Sequence, residues 1–82
     1  MSDIPLETRL VLQRIVRQIC KKVLGFTGPM FAMAVEFACR YYVALKSGNE
    51  KFKKDVKYVY KSFGLKPELI NAIAKEIEER YG

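Results

Sequence analysis

Two groups of basic side chains recur at helical spacing. Arg14, Arg17 and Lys21 lie three and four residues apart in the first quarter of the chain, and Lys53, Lys54, Lys57 and Lys61 repeat the interval further on. Along one side of a helix, such residues reach successive phosphates. Each phosphate neutralised releases condensed counterions, so the chemistry on offer is sequence-tolerant, salt-sensitive association with DNA or RNA. Tyr58 falls beside Lys54 and Lys61, where its ring could stack on a base or support a cation. A solvated helix back that keeps a small protein soluble has the same composition, and the residues alone do not separate the two readings.

Other chemistries find few residues. The chain has no His and only two Cys, which removes the usual metal-ligand sets and histidine-based acid–base catalysis. No catalytic residue, metal site, cofactor or small-molecule substrate is expected, and the protein is read as non-enzymatic. Glu36 and Arg40 sit in an apolar context, four apart with the acid first, which is the orientation of a structural helical ion pair. Glu7, Glu76, Glu78 and Glu79 read as solvated surface. The run Gly25-Phe26-Thr27-Gly28-Pro29 precedes a helix but lacks the lysine and hydroxyl of a phosphate-binding loop, so Thr27 or Gly28 is read as a cap. In antiparallel helices Cys20 and Cys39 would differ in height by about 7 to 8 Å at about 1.5 Å per residue. A bridge needs Cα atoms closer than that, and both are expected as free thiols.

These residues require rods to hold them. Three breaks, at Gly25 to Pro29, Ser47-Gly48-Asn49 and Gly64 to Pro67, cut the chain into four helical segments. The first spans about Pro5 to Leu24, with Asp3 or Ile4 ahead of Pro5. It turns Leu12, Ile15, Val16, Ile19 and Val23 inward, with Arg14, Arg17 and Lys21 behind and Leu6, Leu10 and Leu24 as a weaker apolar strip. The second, Pro29 to Lys46, is apolar nearly all round and is expected at the centre. The third, Glu50 to Phe63, is expected to bury Phe52, Val56, Val59 and Phe63 on one side, with lysines on the other. The fourth, Pro67 to Tyr81, presents Ile70, Ile73, Ile77 and Tyr81 inward. Core is expected at Leu12, Ile15, Ile19, Val23, Phe31, Val35, Phe37, Val43, Val56, Val59, Phe63, Ile70, Ile73 and Ile77.

The last two segments admit comparison with a helix-turn-helix, but Glu68, Asn71 and Lys75 followed by three glutamates are poorly suited to reading bases, and Tyr60 stands where a small residue is wanted. A plain helical hairpin is the expectation. The run Asp55 to Tyr60 resembles helices of small ATPase lid domains and of histone-like folds, a pattern shared by many helices, and it implies no function.

The frame is therefore an all-α, four-helix domain covering residues 1–82, with no β-sheet. At 82 residues and a net charge of +6, one core must supply the stability and anionic partners are favoured. Charge divides unevenly: +4 over residues 1–48, +4 over 49–66 and −2 over 67–82. No signal peptide is expected from Met1-Ser2-Asp3-Ile4-Pro5, and no membrane span fits, which makes the cytoplasm the default. Abundant Lys and Glu with little Gln or Asn suggests a thermophilic source. The functional expectation is nucleic-acid association through Arg14, Arg17, Lys21, Lys53, Lys54, Lys57, Tyr58 and Lys61. The alternative is a protein-interaction subunit, including a homo-oligomer, using apolar surface of the first or second helix.

Overall fold

The computed structural model describes residues 4–25 and 28–82. It contains four α-helices, α1 (Leu6–Leu24), α2 (Met30–Ser47), α3 (Glu50–Ser62) and α4 (Pro67–Tyr81), and no strand among the described residues. Pro5 and Pro29 stand just ahead of the first helical residue rather than inside it. The caps expected at Asp3 and Thr27 fall outside the described residues, and the Gly28 carbonyl accepts from the Phe31 amide at 2.9 Å. Asn49 caps α3 by accepting the Phe52 amide at 3.1 Å, satisfying one of the four donors that a helix start leaves open. No helix among the described residues is long and apolar enough to cross a membrane.

The helices form a diamond in section. α2 and α4 touch across the short diagonal, while α1 and α3 each pack on both of them and do not touch one another. The sequence places the apolar α2 at the centre; it contacts all three others, but so does α4, and the two share that position. Its most enclosed positions are small ones, Ala34, Ala38 and Ala44, alongside Phe37 and Tyr41. Alanine lets neighbouring backbones approach closely, so the bulkier Phe31, Val35 and Val43 end up only partly covered. Leu12, Ile15, Val16 and Cys20 of α1, Leu65, and Leu69, Ile70, Ile73, Ala74 and Ile77 of α4 join them in the interior, each large side chain contributing about 1.5 to 3 kcal/mol by leaving water.

α3 differs from the expectation in its rotation. Val56 is buried as expected, but Phe52 is 38%, Val59 41% and Phe63 66% exposed, and Tyr60 is buried at 3% in their place. The turn after α3 explains the choice. Gly64 adopts φ of 103°, a conformation open to glycine without steric cost. Its amide bonds the Lys61 carbonyl at 3.0 Å while the Leu65 amide reaches back to Tyr60 at 3.0 Å. This paired closure brings together the residue after the glycine and the one four before the glycine. Here these are Leu65 and Tyr60, both members of the buried cluster. Tyr60 stacks edge-on against Phe37 at 5.6 Å and sends its hydroxyl out to donate to Glu36 at 2.6 Å. A valine or phenylalanine facing inward would forgo that bond. Burial, aided by the bond to Glu36, pushes the Tyr60 phenol up to about 12. Tyr41 donates to Glu78 in the same manner, and burial followed by that bond raises its phenol further still. Val23 is a smaller correction: near the end of α1 it is 36% exposed.

Candidate nucleic-acid interface

The rotation of α3 gives that helix three sides. Val56 and Tyr60 face the core; Phe52, Val59 and Phe63 form an exposed apolar side; Lys54, Tyr58 and Lys61 form an exposed basic side. Of the four α3 lysines expected on one solvated face, two turn toward the core edge. Lys53 is half-buried and binds Glu50 at 2.9 Å. The hydrogen bond holds the Glu50 carboxyl below its ordinary value and the Lys53 ammonium above its own. Lys53 is thus committed within the helix and is the residue least able to serve a phosphate. Lys57, also half-buried, lays its ammonium 5.6 Å from the centre of the Tyr41 ring, where the stem covers apolar surface and the charge stays near water.

The open part of this side borders α4. Lys57, Tyr58 and Lys61 line a shallow groove of about 250 Å³ together with Pro67, Ile70 and Asn71. Tyr58 is 72% exposed, and among the described residues its ring has no aromatic, cationic or hydroxyl partner. Asn71, which the sequence sets aside with the acidic helix, lines this groove. Its signal was positional: it falls one residue after Ile70, on the side of α4 that turns toward α3. The groove continues past Lys57 toward Asn71, Lys75, Glu78 and Glu79, so its far end carries the acidic charge of α4.

The α1 group is a separate surface. Arg14, Arg17 and Lys21 are all exposed and share a stripe with Leu6 and Leu10, which are 70% and 52% exposed. Arg17 lies over the Phe31 ring at 5.4 Å, a cation–π contact that orients its guanidinium. α1 and α3 do not touch and lie on opposite sides of the α2–α4 pair, so the two basic groups occupy separate surfaces.

The remaining polar candidates are structural. Glu36 and Arg40 pair at 3.8 Å with side chains 60% and 66% exposed, and Glu76 pairs with Arg80 at 3.9 Å. Cys20 and Cys39 are free thiols. Burial raises the pKa of both, offset in part for Cys39 by the charge of Arg9, so neither is an activated nucleophile. Among the described residues no cluster of three possible metal ligands occurs. No protein-family model, curated protein or solved structure matches the chain.

Proposed function

We propose that the protein is a non-enzymatic nucleic-acid-associating domain whose principal contact is the basic side of α3. Lys54, Lys57 and Lys61 neutralise successive phosphates, and Tyr58 stacks on an unpaired base at the mouth of the α3–α4 groove. The observation that carries this reading is the position of Tyr58. A large aromatic ring is held 72% exposed among three lysines, where burial gives no reason for it and stacking gives one. Arg14, Arg17 and Lys21 then act as a second contact on the other end of the molecule, able to engage a separate stretch of strand. Recognition is of backbone and base face rather than base edge. The acidic end of α4 repels phosphate and bounds the track on one side.

The test is a salt titration of binding to a single-stranded oligonucleotide. Three phosphate contacts on α3 give a log–log slope of about −2, from about −0.7 per contact. Replacing Tyr58 with Ala should weaken binding by about 1 to 3 kcal/mol with the slope unchanged. Absence of binding at low salt, or binding indifferent to Tyr58→Ala and to reversal of Lys54 and Lys61, overturns the reading.

A further inference from the structure

The apolar side of α3 does not stand alone. Phe52, Val59 and Phe63 flank a groove of about 320 Å³ that also reaches Glu36, Arg40 and Asp55. A second recess of about 550 Å³ lies along α2, walled by Ile4 and Arg9 and floored by Ala32, Val35, Cys39 and Val43. The two share Glu36, Arg40 and Phe52, so they run together as one valley with the Glu36–Arg40 pair in the middle. Phe52 borders both halves; the exposed Val59 and Phe63 form a ridge edging the α3 half, and an apolar hollow forms the half along α2.

We infer that this valley is the contact surface between two copies of the chain. Two features select a second copy over another partner. First, ridge and hollow lie on the same face, on opposite sides of a central point. That is what an isologous interface requires, since a two-fold rotation about the point sets each copy's ridge in the other's hollow. The Phe63 ring, 66% exposed, is the projecting element, and the space above Val35, Cys39 and Val43 receives it. Second, the charges bordering the valley are Arg9, Arg40, Glu36 and Asp55, two of each sign, on a molecule whose net charge is +6. Two copies meeting here bring no excess of like charge together. The same rotation carries Glu36 of one copy toward Arg40 of the other, so the exposed pair within each copy becomes a set of pairs across the axis. A strongly acidic or basic partner would find no excess of opposite charge in this valley. The basic side of α3 lies away from it, so association leaves Lys54, Tyr58 and Lys61 open in both copies.

Light scattering from micromolar to millimolar protein tests this, combined with the alkylation rate of Cys39, whose thiol lies in the hollow. The expected result is a mass that rises to twice that of the chain and stops there, a dimer favoured by added salt as repulsion is screened, and Cys39 alkylation that slows over the same concentrations. Phe63→Ser should raise the dissociation constant by about tenfold or more, with helicity by circular dichroism unchanged because the ring is exposed. Arg40→Glu, which leaves the Tyr60–Glu36 hydrogen bond in place, should also weaken self-association. A monomer throughout, with Cys39 equally reactive at every concentration, overturns the inference and leaves the valley to a foreign apolar helix. So does mass that grows past the dimer, or a dimer indifferent to Phe63→Ser. Because nucleic-acid association weakens with salt and this one strengthens, failure of either is visible without the other.

Discussion

The two solvent-facing sides of α3 carry opposite chemistry on one short rod. On one, Lys54 and Lys61 stand open around Tyr58; on the other, Phe52, Val59 and Phe63 leave apolar surface uncovered beside α2. Thirteen helical residues and the Phe63 that follows them therefore serve a core and two distinct surfaces. The division depends on Tyr60. With Tyr60 inward, the helix turns so that neither Val59 nor Phe63 is core. Polar groups that a buried tyrosine brings with it are tolerated because its hydroxyl emerges at Glu36.

The sharpest way to break this comparison is to place a charge on each apolar position in turn. Val56→Asp buries an unpaired carboxylate and should cost several kcal/mol, about 3 or more, abolishing cooperative thermal unfolding near the wild-type melting temperature. Val59→Asp, three residues on, should cost only about 1 kcal/mol, since that side chain already meets water. Equal damage from both would mean that α3 is turned as its hydrophobic pattern alone suggests.

That pattern explains how far the sequence could be read. Helix ends were legible because they depend on local chemistry: glycines after α1, α2 and α3, Asn49 before α3 and Pro67 at the start of α4 mark them within a residue or two. That α2 touches every other helix was legible from its lack of a polar face; that α4 shares this position was not. The rotation of α3 was not, because Phe52, Val56, Val59 and Phe63 form as regular a stripe as Val56 and Tyr60 do. The decision lies in contacts distant in sequence, to Phe37 and Glu36. The reduction of the basic site had the same origin, since turning the helix carried Lys53 and Lys57 toward the core edge. Only the Gly64-Leu65 pair, which calls for an apolar partner at Tyr60, held a local clue.

A smaller effect sharpens the role of Tyr60 and Tyr41. Their phenols are raised in the folded protein, so the unfolded chain releases protons first as pH climbs. Stability from this source is complete below the phenol's ordinary range and falls as pH rises toward about 12 for Tyr60. Melting temperature should therefore drop on the alkaline side, and the drop should be shallower in Tyr60→Phe. Substituting Phe at Tyr60 should itself cost about 1 kcal/mol through the lost bond to Glu36. Asn49→Ala should have a similar or slightly smaller effect, about 1 kcal/mol in thermal unfolding, from loss of the α3 cap without change at either surface.

The central claim is that the basic side of α3 is a nucleic-acid contact, independent of the apolar side. The most direct measurement is the salt dependence of oligonucleotide affinity for the wild type and for Lys54→Glu/Lys61→Glu, a variant that spares Lys57 against Tyr41. The account predicts near-complete loss of binding at moderate salt and a slope shallower by about 1.4, two contacts at about 0.7 each. An unchanged affinity and slope would contradict it.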